Sequence, residues 1–246
     1  MPDPNSPPFP PIEPPATEVR FPDPRAFPGE EVFAMGSDFR PGTLLEAYRH
    51  GIFPWPQSAR RVPWCSLDPR AVFPIHAFAG SAGGGGGGDE RPHWSRSLRR
   101  TLRKHPYAIT VDAAFEQVVR ACGDERPRER WIIPAYAAGF VALHALGWTH
   151  SVEVWEGEPL TGALVGGIYG IAIGGLFAGE SMFHRRTDAS KIAFATLVER
   201  LIAAGYGLFD VQVMNDHLES LGCVELGREE YLERLDVERG RPAMRL

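Results

Sequence analysis

The amino-acid sequence predicts an α/β protein on a mixed sheet, an α+β arrangement that ends in a parallel strand pair. Three observations carry that expectation. Apolar residues recur at helical spacing in two separate stretches, 115–122 and 194–201. At 151–155, 164–177 and 207–213 the period falls towards two, and glycine and β-branched residues dominate. The last of these stretches follows a strand and a helix through a short return, the order of a parallel β-α-β unit.

Taken in order, residues 1–28 are crowded with proline (Pro7, Pro8, Pro10, Pro11, Pro14, Pro15) and lack periodicity. With little burial to offset ordering entropy, they are expected to form an extended, disordered lead-in. Residues 29–68 are expected to form a small N-terminal domain. Within it Thr43-Leu44-Leu45-Glu46 has the capping-box pattern and Gly51 supplies a stop, which brackets a short helix. Residues 69–246 form the expected main domain, with a glycine-rich insertion at 80–90. The run Gly83 to Gly88 has no conformation of its own, and no Lys-Ser/Thr pair follows it as in a phosphate loop.

From Asp112, taken as an N-cap, Phe115, Val118, Val119 and Cys122 mark one apolar helix face. A second helix, with Tyr136, Phe140 and Leu143, is entered through Pro134 and ended by Gly147. Ser151 to Trp155 alternates as a strand does. Leu164 to Ala172 and Gly175-Leu176-Phe177 read as two adjacent strands joined near Gly174. Phe194, Leu197, Val198 and Leu201 mark a helix stopped at Gly205. The strand-like run Gly207 to Val213 and a short helix from Asn215 to Gly222 follow.

Of the 246 residues, 43% are hydrophobic and 23% charged, ordinary for a chain that buries a core. There is neither an apolar run of spanning length nor a basic-then-apolar leader, so a cytoplasmic protein without a membrane partner is expected. Cys65, Cys122 and Cys223 are odd in number and form no C-x-x-C, and the histidines show no H-E-x-x-H spacing. Neither a disulfide framework nor a metal site is expected. The net charge of −5 argues against holding nucleic acid by overall positive charge, so any such site is local.

Four features have chemical potential. Asp210 and Gln212 lie two apart in an apolar strand, so an acid and an amide share one face, with Phe209, Val211 and Val213 on the other. They could orient or deprotonate an attacking amine; the plain alternative is a cap and a strand end. In Gly179-Glu180-Ser181-Met182-Phe183, Gly179 permits close approach, Glu180 can bind an amine or hydroxyl, and Phe177 and Met182 supply an apolar wall; the plain alternative is a strand end with a turn. Arg96, Arg100, Arg103 and Lys104 fall on one helical stripe apart from Leu98 and Leu102. Such a stripe can follow a phosphate backbone, or it can be a solvated face. Trp55 and Trp131 are stacking platforms or core tryptophans.

Taken together, several segments resemble the leucyl/phenylalanyl-tRNA-protein transferase family. They are Leu44-Leu45-Glu46-Ala47-Tyr48-Arg49-His50-Gly51-Ile52-Phe53-Pro54-Trp55, Asp68-Pro69-Arg70-Ala71-Val72, Ser95-Arg96-Ser97-Leu98, His150-Ser151-Val152-Glu153-Val154-Trp155, Gly179-Glu180-Ser181-Met182-Phe183, Asp188-Ala189-Ser190-Lys191 and Asp210-Val211-Gln212-Val213. The resemblance covers residues from about 21 to 235. It implies a GNAT acyltransferase-like C-terminal domain behind a small N-terminal one. It also implies a donor, aminoacyl-tRNA carrying Leu or Phe, with Met as a third candidate. The implied acceptors are proteins with N-terminal Arg or Lys, which the product marks for degradation. No cofactor and no ATP are implied, and a monomer is expected.

The same resemblance implies Asp210 and Gln212 as the catalytic pair. Glu180 and Ser181, beside Gly179, would line the aminoacyl-adenosine site. Ile168, Phe177, Met182 and Leu197 would form the side-chain pocket, with Trp55 and Trp131 at its edge. Arg96, Arg100, Arg103 and Lys104 would bind tRNA. A competing account gives the terminal ribose of the tRNA the assisting role.

Departures from the family pattern are Ser37 in Gly36-Ser37-Asp38, Cys65 for a Trp, Leu67 for Pro, and Val211. Ile168 and Leu197 stand for the usual Met or Phe, which leaves donor preference open. A CoA-dependent acetyltransferase would need a glycine-rich loop where His184-Arg185-Arg186-Thr187-Asp188-Ala189 stands. A noncatalytic RNA-binding module would rest on the basic stripe alone.

Overall fold

The structure, a computed structural model, describes residues 6–58, 61–75, 94–125 and 131–246. The glycine-rich insertion expected at 80–90 lies outside the described residues. A three-stranded sheet in the order β1-β3-β2 is made by β1 (Val32–Met35), β2 (Phe53–Pro54) and β3 (Pro63–Cys65). The helix α1 (Pro41–Arg49) lies between its first two strands in sequence. From Arg70 onward the strands enter a seven-stranded sheet: β4 (Arg70–Phe73), β5 (Ala108–Val111), β6 (Thr149–Glu156), β7 (Ala163–Ile173), β8 (Leu176–His184), β9 (Leu208–Gln212) and β10 (Val224–Leu226). Their order is β10-β4-β9-β8-β7-β6-β5.

Neighbouring strands of that sheet are antiparallel, except β8 and β9, which are parallel and joined through α5 (Ala189–Ala204). This is the mixed α/β class and the terminal β-α-β unit that periodicity predicts. The β7–β8 turn falls at Gly174, where φ is +56° and an added Cβ would meet the Glu238 carbonyl oxygen at 2.4 Å. The sheet is buried on both faces. Phe194, Leu197, Val198 and Leu201 of α5 cover one face together with Leu98 of α2 (Arg96–Lys104). The other lies under α1, α3 (Phe115–Asp124) and α4 (Pro134–Ala145), through Tyr48, Val118, Val119, Tyr136 and Phe140. Short α6 (Asp216–Ser220) and α7 (Arg228–Arg239) close the chain.

Three local expectations are corrected. Residues 6–28 are laid along the fold: Ile12 N–H donates to the Leu146 carbonyl (2.8 Å), Trp148 Nε1–H to the Ile12 carbonyl (2.7 Å), and Arg49 pairs with Glu13 (2.7 Å). A prolyl residue has φ already fixed, so ordering this segment costs less than ordering a chain of common residues. Helix α1 begins at Pro41, which suits the first helical position, and Thr43 instead donates its hydroxyl to Asp38 (2.9 Å). Asp112 does not cap α3. It sits at φ +58° and accepts from Ser151 N–H (2.9 Å), with His150 Nδ1 at 2.8 Å.

Candidate active site

The parallel pairing of β8 with β9 runs through Leu176↔Leu208, Phe177↔Phe209 and Ala178↔Asp210 and stops there, although β8 continues to His184. Beyond that point the carboxyl ends of the two strands diverge, and a cavity of about 460 Å³ lies between them. Ile168, Met182, Phe194, Phe209 and Val211 form its apolar side, with Gly179, Glu180, Ser181 and Gln212 bringing polar groups. Phe53, Pro54, Trp55, Trp131 and Val213 also line it. Trp55 and Val213 are exposed, whereas Trp131 packs edge-on against Tyr136 with ring centres 5.4 Å apart.

A register shift aims Glu180. Tyr169 pairs with Ser181 and Gly170 with Gly179, so Glu180 is the extra residue of a β-bulge between β7 and β8. Its carboxylate accepts from Tyr48 Oη (2.6 Å) and Gln212 Nε2 (2.8 Å) on Oε1, and from Tyr136 Oη (2.5 Å) on Oε2. Burial pushes its pKa up to about 7, against the pull of the Tyr136, Tyr48 and Gln212 donors and with the Asp210 charge adding to the rise. Ser181 Oγ is buried and has no hydrogen-bond partner among the described residues.

Asp210 is held differently. Arg70 on β4 grips it two-pronged, Nε to Oδ1 at 2.9 Å and Nη2 to Oδ2 at 2.7 Å. Tyr231 Oη on α7 donates to Oδ2 (2.9 Å) and the Gln212 backbone N–H to Oδ1 (2.8 Å). Each oxygen accepts twice, which uses a carboxylate's acceptor capacity. The guanidinium lies over Phe53 and Tyr231, 4.6 and 4.7 Å from the ring centres. Burial alone would lower the Arg70 pKa; the Asp210 charge outweighs it and the guanidinium stays protonated. Asp210 is fully buried and is not part of the cavity wall. Of the expected pair, Gln212 is the member that lines the cavity; Asp210 lies behind it and accepts the N–H of Gln212, which sits at φ +65°.

The remaining expected residues divide. Trp55, Trp131, Ile168, Gly179, Glu180, Ser181, Met182 and Gln212 meet at the cavity. Phe177 and Leu197 are buried in the layer beneath and are not in its wall; Phe194 and Phe209 take that place. Arg96, Arg100, Arg103 and Lys104 are exposed on α2, capped by Ser95, with Leu98 turned into the core. That helix reaches the start of α5 through the Thr101 hydroxyl, which donates to Asp188 (3.2 Å). Sequence reasoning missed Arg70, Tyr48, Tyr136 and Tyr231. One signal was available for Arg70: a lone cation beside Ala71-Val72-Phe73 needs a buried anion, and Asp210 is an acid in an equally apolar strand.

Among the described residues no group of three or more His, Cys, Asp or Glu is arranged to hold a metal ion, and no helix is long and apolar enough to cross a membrane. All three cysteines are buried and outside any disulfide, and burial pushes Cys65 up to about 11 and Cys223 up to about 12.

An apolar cavity at the carboxyl ends of a parallel strand pair, with a buried carboxylate and an unpaired hydroxyl on its wall, is the build of an α/β enzyme's substrate site. Residues 89–236 match the leucyl/phenylalanyl-tRNA protein transferase family, and residues 37–68 match its N-terminal domain. A leucyl/phenylalanyl-tRNA--protein transferase of Anaeromyxobacter sp. is 44% identical over 231 residues, which is 93% of this chain and 91% of the relative. That of Shewanella baltica is 42% identical over 230 residues, 93% of this chain and 87% of the relative. That of Proteus mirabilis is 43% identical over 220 residues, 89% and 87% of the two chains.

The chain belongs to the leucyl/phenylalanyl-tRNA-protein transferase family and is an aminoacyltransferase. Among solved structures, L-PGS from Bacillus licheniformis overlays with a TM-score of 0.39 at 12% identity, covering 78% of this chain and 60% of that one. A tandem GNAT protein from the clavulanic acid pathway gives 0.34 at 10%, covering 74% and 55%. Overlays at these scores are too loose to add weight, and the fold class rests on the sheet itself.

Proposed function

We propose that this protein moves Leu or Phe, with Met as a weaker donor, from aminoacyl-tRNA to the α-amine of proteins that begin with Arg or Lys, marking them for N-degron proteolysis. The observation that carries the reading is the apolar cavity with Glu180, Ser181 and Gln212 on its wall. Its volume suits an aminoacyl group with part of a nucleoside. Ile168, Met182, Phe194 and Phe209 receive the side chain, and exposed Trp55 offers the adenine a face. The buried Ser181 hydroxyl donates to the ester carbonyl, and its charge grows there as the amine attacks. The exposed stripe Arg96, Arg100, Arg103 and Lys104 holds the tRNA phosphates, a local cationic surface on a chain of net charge −5.

The ester is already activated, so the enzyme's task is to hold a neutral amine against the carbonyl carbon, and positioning accounts for most of the acceleration. Gln212 contacts the amine through its amide, and Asp210 positions Gln212 from behind. Transfer of labelled Leu from Leu-tRNA to an Arg-starting peptide tests the reading. Intact tRNA binding without transfer would leave a noncatalytic RNA-binding module in its place.

A further inference from the structure

We propose that Glu180 takes the proton from the acceptor α-amine and returns it to the departing ribose oxygen. Glu180 is then the catalytic carboxylate, and Tyr48 and Tyr136 are its positioning residues. The assignment rests on the aminoacyl-transfer reading above. Two buried carboxylates stand near the cavity, and they differ in what they have left to accept. Asp210 accepts four hydrogen bonds on two oxygens, two of them from one arginine, and it lies behind the wall. A proton placed there would break the ion pair and strand a buried guanidinium. Glu180 lies on the wall with two donors on Oε1 and one on Oε2, so Oε2 keeps an open acceptor position.

The groups around Glu180 come from every element packed on it. Tyr48 reaches it from α1, Tyr136 from α4 and Gln212 from β9, with Tyr169 of β7 beside the two tyrosines and the Arg70–Asp210 pair beyond Gln212. The one cation in this set is committed to Asp210. Burial therefore decides the titration, and the carboxyl loses its proton in the range where an α-amine also does. Proton transfer between matched groups is the condition under which a general base is most effective.

The step balances without a co-reactant. The amine nitrogen bonds to the ester carbonyl carbon, and its extra proton passes to Glu180. The bond from carbon to the ribose oxygen breaks, and that oxygen receives the proton, leaving Glu180 ionised for the next turnover. Tyr48 and Tyr136 serve as donors throughout, because burial holds both phenols well above their ordinary pKa.

The test uses the full-length enzyme with saturating Leu-tRNA and an Arg-peptide whose terminal amine is replaced by an aminooxy group. That nucleophile is neutral throughout the pH range used, and the profiles are repeated with tRNA carrying the α-hydroxy analogue of Leu, which has no α-amine to titrate, so a titration seen in kcat with both donors belongs to the enzyme. Wild type should show kcat rising through an inflection near 7. Glu180→Gln should lower kcat by about 10²- to 10⁴-fold and flatten the profile, with KM for Leu-tRNA changed by less than about threefold. Tyr136→Phe removes a donor to the charged form and should move the inflection to higher pH; it decides the matter if Glu180→Gln does not fold. An inflection that persists in Glu180→Gln, or that does not move in Tyr136→Phe, overturns the assignment. If wild type transfers Leu and Glu180→Gln keeps the wild-type profile, only Glu180 is excluded. If wild type transfers nothing, the aminoacyl-transfer reading itself fails.

Discussion

Replacing Asp210 by Asn probes the most heavily bonded group beside the cavity. The change keeps the shape and removes the charge, so Arg70, 1% exposed on its side chain, is left as a buried cation without its counter-ion. Breaking a buried pair in this way costs about 3–5 kcal/mol. In a chain of this length each kcal/mol moves the melting temperature by about 2–4 °C, so Asp210→Asn should melt about 6–20 °C lower. Removing both charges with similar volume, as in Arg70→Met with Asp210→Leu, avoids the stranded cation, so the double variant should be more stable than either single one.

Turnover adds a second measurement on the same variant. The amide that replaces the Oδ1 acceptor cannot be relied on to hold the Gln212 N–H, and a left-handed non-glycine residue carries about 1–3 kcal/mol of strain. Released, Gln212 should cost about five- to 150-fold in kcat, measured well below the melting transition. Urea titrations of wild type, Asp210→Asn, the two single variants Arg70→Met and Asp210→Leu, and their double variant, with kcat at saturating substrates, check both expectations. A loss below about 1 kcal/mol in Asp210→Asn, or single-variant losses that simply add, would refute the idea that the pair acts as one unit.

Four further outcomes are expected. Ile168→Ala widens the cavity and should shift the Leu-over-Phe preference towards Phe by about 10- to 200-fold in competing kcat/KM; an unchanged ratio would remove Ile168 from donor selection. Changing Arg96, Arg100 and Arg103 to Gln should raise KM for aminoacyl-tRNA and make its logarithmic salt dependence shallower, by about 0.7–0.9 for each phosphate that is no longer neutralised, while leaving transfer from a small aminoacyl-adenosine donor unchanged. Gly139→Ala, whose Cβ would fall 2.2 Å from the Phe39 carbonyl oxygen, should destabilise by about 1–3 kcal/mol in urea titration.

Stability should also depend on Glu180. Its pKa is about 7 folded and 4.5 unfolded, so the folded state binds more protons between those values and stability falls as pH rises through that window. The loss is at most about 3 kcal/mol, complete above pH 7 and absent below 4.5. A Glu180→Gln protein with the same stability slope as wild type between pH 4.5 and 7 would contradict it.

The strands and helices of the large sheet were legible because each repeats its period over several turns or pleats. Val118, Val119 and Cys122 on α3, and Phe194, Leu197, Val198 and Leu201 on α5, are buried as their spacing required. Helix starts were less legible, since Thr43 and Asp112 are as competent to cap as the residues that lie there, and tertiary partners took both side chains. In the site, the alternation of β9 does not sort the residues as expected: Gln212, at φ +65°, shares the cavity wall with Phe209, Val211 and Val213, and Asp210 lies behind it. Alternation is a statement about one strand, and it is silent about Arg70 arriving from β4 140 positions away. The bulge at Glu180 is invisible for the same reason, because it exists only in the register between β7 and β8. Phe177 and Leu197 have the right chemistry for a pocket wall, but their neighbours Phe209 and Phe194 are the ones whose side chains reach it.

These cross-strand partners also change what the division into a small and a large domain means. Residues 29–68 supply Phe53, Pro54 and Trp55 to the cavity wall and Tyr48 to the carboxylate that the reaction is proposed to use. The rest of the chain returns the contact through Arg228, which donates to the carbonyls of Ser66 (3.0 Å) and Glu30, and through the close approach of Gly139 to Phe39. Withdrawing α1 would take a donor from a buried Glu180 and admit water to it. Renewed solvation would bring its pKa back towards the ordinary carboxylate value, while loss of the Tyr48 donor would act in the opposite direction. Desolvation is the larger effect at this site, so the carboxyl would become a weaker base if α1 were withdrawn. Under the role proposed for Glu180, basicity matched to an α-amine therefore depends on α1 lying against the carboxylate.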